Sequence, residues 1–133
     1  MTRRAAFAFT KLVVSDLARA ERFYCSVFGM EVRHRHTSGA HAFAQEESIL
    51  FIPDRAEATL ILTRYLHRPC PTSGSAWTGF VVADIEATVA ALERAGGRIE
   101  VPIHAPDTHP VKAALASDPE GHMIEIIEMT GAD

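Results

Sequence analysis

One stretch of this chain is written twice, and a repeat constrains a fold more than any single motif does. Val13-Val14-Ser15-Asp16-Leu17 returns as Val81-Val82-Ala83-Asp84-Ile85, an offset of 68 residues (84 − 16). Around each copy an apolar run (Phe7 to Val14; Trp77 to Val82) leads to an Asp, then to a helical pattern, then to Gly. In the first copy Leu17, Ala20, Phe23, Tyr24, Val27 and Phe28 fall at steps of three and four, so they form one apolar helix face. Asp16 or Ser15 supplies the N-cap oxygen and Gly29 the stop. The second copy repeats this with Asp84 as cap, Ile85, Val89 and Leu92 on the apolar face, and Gly96-Gly97 at the end.

Three strands follow each helix. In the first half they read as Glu31–His36, Ser48–Pro53 and Thr59–Tyr65. In the second they read as Arg98–His104, Val111–Ser117 and His122–Met129, with Asp118-Pro119-Glu120-Gly121 as the last turn. Thr37–Glu47 is ambiguous between loop and strand. The expected fold is therefore α+β: two βαβββ modules forming a curved mixed sheet around a concave cleft, helices outside. Module 1 covers about 5–65, a Pro-rich linker 66–75, and module 2 about 76–129 of one 133-residue domain.

Composition removes several classes of function. With 47% hydrophobic and 23% charged residues the chain can bury a core. A net charge of −4, from 13 Lys and Arg against 17 Asp and Glu, offers no basic patch, so no nucleic-acid partner is expected. No apolar run reaches the ~20 residues of a membrane span. Thr10 and Lys11 interrupt the short apolar patch before it could serve as a signal-peptide core. Cys25 and Cys70 make no disulfide framework and read as free thiols in a reducing cytosol, which points to a cytoplasmic protein.

The residues from Phe9 to Leu17, followed by Arg22-Phe23-Tyr24 and Phe28-Gly29-Met30, resemble the first module of the vicinal oxygen chelate superfamily. That group includes glyoxalase I, extradiol dioxygenases, fosfomycin-resistance transferases and bleomycin-resistance proteins. Gly79–Ile85 and the closing Ser117–His122 with Ile124-Glu125-Ile126 extend the resemblance over nearly the whole chain. It is informative about fold and says little about chemistry.

The resemblance implies four metal-ligand positions on the concave face, two per module. Seven residues before Asp16 stands Phe9, and seven before Asp84 stands Trp77; the other two positions hold Ile61 and Glu125. Phe, Ile and Trp offer no lone pair to a cation, and one carboxylate does not make a catalytic metal site, which needs about three protein ligands. No metal and no cofactor are therefore expected. His34 and His36 could share a strand face, while His41, His67, His104 and His109 lie near loops, and no pair shows a metal-motif spacing. His122 reads as a solvated turn residue.

Strand alternation gathers a candidate ligand-binding set of Phe9, Lys11, Ile61, Thr63, Trp77, Gly79, Met123 and Glu125. Aromatic and aliphatic bulk there suits a small apolar or aromatic partner; the competing reading is a filled core with no pocket. Glu125 is the candidate catalytic residue, a general acid or base, unless Lys11 neutralises it in a structural pair. The leading expectation is a metal-independent binding protein of the bleomycin-resistance type. A metal-free lyase, isomerase or cyclase using Glu125 comes second, and a metal-dependent glyoxalase-like lyase third. The resemblance also implies a homodimer.

Overall fold

A computed structural model describes residues 5–108 and 110–131. The order is β1 (Thr10–Val13), α1 (Leu17–Phe28), β2 (Glu31–Ser38), β3 (Gln45–Phe51), β4 (Ala58–Tyr65), β5 (Trp77–Val81), α2 (Ile85–Arg94), β6 (Arg98–His104), β7 (Val111–Ser117) and β8 (Met123–Met129). This is the expected α+β pair of βαβββ modules. Each builds a four-stranded mixed sheet, β1-β4-β3-β2 and β5-β8-β7-β6, with β1 parallel to β4 and β5 parallel to β8. Several strand boundaries move, most of them by one or two residues. Phe7 and Phe9 precede the first strand, and Gln45–Glu47, in the ambiguous segment, belong to β3.

The caps behave as their residue types require. Asp16 accepts from Arg19 N and Asp84 from Ala87 N, both at 3.0 Å, relieving orphan N–H groups at each helix start. Gly29 closes α1 at φ 69, a conformation that costs glycine little. Gly97 is constrained by space instead: a Cβ there would lie 2.6 Å from Leu92 Cδ2 and 2.8 Å from Ser117 O.

Alternation then divides the side chains. Leu12, Leu60, Leu62 and Leu50 turn to α1, and Ile124, Ile126, Ala114 and Ala116 turn to α2. The two sets join in one apolar core. Phe80 of β5 is stacked on Phe28 of α1, with centroids 3.8 Å apart and planes at 10°.

A polar clamp crosses the same seam. Asp118, in the turn before β8, accepts from Tyr24 Oη at 2.8 Å and from the backbone of Glu120 and His122 at 2.9 Å. His122 faces an acceptor at each ring nitrogen: Asp118 Oδ2 at 2.9 Å and Val13 O, in the other module, at 3.0 Å. Glu120 accepts from Ser15 N and Asp16 N at 2.7 and 2.9 Å. The expected solvated turn histidine is thus a buried one, because the tight turn folds its ring back between the modules.

Two acceptors require two donors, so the imidazolium fits this site. Burial pushes the His122 pKa down, but the Asp118 carboxylate more than offsets it, and the net shift is upward. Burial likewise pushes Asp118 up, and hydrogen bonding to His122 outweighs it, leaving a net downward shift. The histidine's stabilisation is then complete below its unfolded-state pKa of about 6.5 and is lost as pH rises through the higher folded-state value. Urea unfolding across pH 5 to 9 should show stability falling on the alkaline side, and His122→Gln should flatten that limb. An identical alkaline limb in the variant would contradict the clamp.

Candidate functional site

The strand register tests the assignment of the four positions. Lys11 stands opposite Ile61 in the β1–β4 pair, as Gly79 stands opposite Glu125 in the β5–β8 pair. Ile61 is therefore the structural counterpart of Glu125, and Phe9 precedes β1 just as Trp77 opens β5. The donor set at these positions is one carboxylate among Phe9, Ile61 and Trp77, and it does not fit a divalent metal.

Of the candidate set, Lys11, Ile61 and Thr63 share the face of the module 1 sheet turned away from α1. Trp77, Gly79, Met123 and Glu125 share the corresponding face of module 2. Ile61 and Thr63 are buried, whereas Phe9 and Trp77 are 45% and 58% exposed. That exposure disfavours the filled-core alternative at the two aromatic positions. Trp77 and Gly79 line one cavity and Lys11 another.

The partner of Lys11 is corrected. Its ammonium pairs with Glu47 and donates to Gln45 Oε1 at 2.8 Å, where Thr63 Oγ1 also donates at 2.7 Å. Glu47 is 4% exposed and takes His36 Nε2 at 2.8 Å on its other oxygen. Sequence reasoning missed Glu47 because it fell in a segment of undecided structure. The visible signal was Gln45-Glu46-Glu47 leading directly into Ser-Ile-Leu-Phe, a β3 whose alternation carries back into it. Glu125, half-buried beside Met123, forms no hydrogen bond or ion pair with another described side chain.

The histidines are dispersed. His34 and His36 do share a face, opposite Ile49 and Glu47, but His34 packs edge-on against Phe51. His41 Nδ1 accepts from Phe43 N at 3.1 Å, His104 Nδ1 lies 2.9 Å from Pro102 O, and His67 is exposed. His109 lies outside the described residues. One carboxylate cluster, Asp84, Glu86 and Glu128, brings oxygens within 4.8 Å of one another. Each is already engaged: Asp84 caps α2, Glu128 accepts from Ile85 N at 2.9 Å, and Glu86 pairs with Lys112 at 2.8 Å. Cys25 and Cys70 are free thiols.

Removing the cation from the Lys11–Glu47 pair strands a buried charge. Lys11→Met should cost about 2–4 kcal/mol in thermal or urea unfolding, moderated by the partial exposure of Lys11. Lys11→Met with Glu47→Gln should recover most of it, and an additive double variant would refute the pairing.

The fold recurs in known proteins. A family model described as Glyoxalase/Bleomycin resistance protein/Dioxygenase superfamily matches residues 6–126. A glyoxalase family protein from Bacillus cereus superposes with TM-score 0.83 at 18% identity, over 98% of this chain and 97% of that one. A fosfomycin resistance protein from Listeria monocytogenes gives 0.68 at 13%, over 98% and 96%. Glyoxalase I from Zea mays gives 0.71 at 22%, over 94% of this chain but only 44% of its own length, so the chain spans less than half of that enzyme. No curated protein matches the sequence significantly. At these identities the structural likeness establishes the fold, and with the family match over most of its length the chain belongs to the Glyoxalase/Bleomycin resistance protein/Dioxygenase superfamily.

Proposed function

We propose that this chain is a metal-independent small-molecule-binding protein that holds an apolar or aromatic ligand on the sheet faces carrying Phe9, Ile61, Trp77 and Met123. The observation that carries the reading is the donor set: three of the four ligand positions hold Phe9, Ile61 and Trp77, which offer no lone pair to a metal, and two of those are exposed aromatic rings. Exposed Trp and Phe beside small, open positions such as Gly79, where a Cβ would meet nothing within 4 Å, suit stacking and burial of a flat partner.

Phe9, Trp77, Val81 and Met129 leave apolar surface at 45%, 58%, 69% and 61% exposure. Such surface favours a second copy completing the cleft, in a homodimer where module 1 of one chain faces module 2 of the other. No described helix is long and apolar enough to cross a membrane, and the proposed location is cytoplasmic. One observation favours a second reading, a metal-free lyase, isomerase or cyclase: the half-buried Glu125 carboxylate has no partner among the described side chains and so is free to move a proton. The metal-dependent lyase finds no support in the donors present.

Purified protein should carry no stoichiometric transition metal by elemental analysis; about one tightly held ion per chain would overturn the reading. Trp77, the single Trp of the chain, should be quenched or shifted by a planar hydrophobic ligand. Trp77→Ala should weaken that ligand by about 2 kcal/mol or more, with Trp77→Phe as the control that preserves packing. Turnover lost in Glu125→Gln with binding retained would move the assignment to the enzyme. Sedimentation should show a dimer at micromolar concentration, and a 14.5 kDa monomer would refute the assembly.

A further inference from the structure

The repeat gives the seam between the modules two equivalent poles. At one, Lys11, Leu12 and Val13 meet the linker segment Pro71–Ala76 and His122, leaving about 140 Å³. At the other, Gly79, Phe80 and Val81 take the equivalent places, and the cavity is about 500 Å³. The reason lies in the chain: the residues equivalent by the repeat to Pro71–Ala76 precede β1, and Ala5–Ala8 among them are exposed and do not line this groove. Among the described residues, no segment fills this pole as Pro71–Ala76 fills the other. The volume falls within the range of small-molecule sites, roughly 300–1,000 Å³.

The walls define what would fit. Met30, Ile52, Leu60, Phe80, Trp77 and Val81 supply apolar surface. Thr10, Thr59 and Thr78 supply hydroxyls, and Thr78 Oγ1 is buried without a partner among the described residues. Among the described residues, Arg55 is the one charged side chain in the wall. Its backbone is fixed at both ends: N donates to Ile52 O at 3.1 Å and O accepts from Arg33 Nη1 at 2.6 Å. The preceding Asp54 is held in a left-handed conformation at φ 68, unusual for a non-glycine residue, so the loop is pinned rather than slack. Among the described residues no ion pair engages the Arg55 guanidinium, whereas Arg33 beside it pairs with Glu31 at 2.9 Å. A guanidinium with free donors at the rim of an apolar groove recognises carboxylate, sulfonate or phosphate.

We propose that this inter-module groove is a second binding site, for an aromatic or aliphatic small molecule bearing one anionic group, with Arg55 holding the anion and Trp77, Leu60 and Phe80 the apolar body. It meets the sheet face at Trp77 and Gly79 but does not depend on ligand binding across the rest of that face.

Two fluorescent probes sharing a ring system test it: 1-anilinonaphthalene-8-sulfonate, an anion, and N-phenyl-1-naphthylamine, which lacks the sulfonate. The anion should bind saturably, quench Trp77 and shift the amide resonances of Thr10, Thr59 and Val81. Arg55→Gln should weaken it about tenfold or more, leave the neutral probe within about twofold, and differ from Arg94→Gln, which removes an equal charge elsewhere. Equal loss in both Arg variants, or no loss in Arg55→Gln, would overturn the proposal. Probe-induced shifts confined to Ile61, Met123 and Glu125 would overturn it while supporting the sheet-face site; shifts confined to the groove would do the reverse. A dimer that covers the groove and excludes both probes would also overturn it.

Discussion

Two modules written in near-duplicate can share a core only if their helices meet in one fixed way, and the aromatic seam fixes it. Phe28 closes α1 and Phe80 comes from β5, yet their rings stack at 3.8 Å with Tyr24 alongside. Apolar stacking sets the distance without setting the rotation. Rotation is set by the polar clamp, where Asp118, His122 and Glu120 of module 2 take up the Tyr24 hydroxyl, the Val13 carbonyl and the first N–H groups before α1. Everything proposed about ligands follows from that arrangement. With the helix-bearing faces joined in one core, Phe9, Trp77 and Gly79 on the opposite side and the groove at the open pole remain accessible.

The absence of donors changes what the superfamily's scaffold can do here. A divalent ion polarises an oxygen and holds it in place; Phe, Ile and Trp can exclude water and stack, but they stabilise no developing charge. Among the candidate positions, what remains for polar chemistry is the half-buried Glu125 carboxylate on module 2 and the Lys11–Glu47–His36 array on module 1. Such a surface suits recognition by shape and burial better than bond-making, which is why binding is placed first and proton transfer second.

Most of the architecture was legible because period and punctuation agree at each step. Asp16 and Asp84 announce helices, Gly29 and Gly96 end them, and alternation in Thr59–Tyr65 sorts buried from facing positions. The four ligand positions came from the resemblance; the repeat adds that Phe9 and Trp77 are equivalent at the same 68-residue offset. Three things were not legible. Glu47 hid in a segment where loop and strand signals balance, so the real partner of Lys11 went unseen. His122 looked solvated because turn residues usually are, and only the fold brings Val13 O to its ring. The groove at Arg55 depends on which segments fail to fill a pole, and that is a property of packing rather than of pattern.

The central claim of the proposed function is that ligand binding is carried by aromatic and aliphatic side chains at the positions where the resemblance implies metal ligands. It is tested most directly by following Trp77 fluorescence while a planar aromatic ligand is titrated, once with chelator and once with added zinc, nickel or manganese. The account predicts superimposable curves with the same saturation. Binding that appears only when a metal ion is supplied, and disappears with chelator, would contradict it.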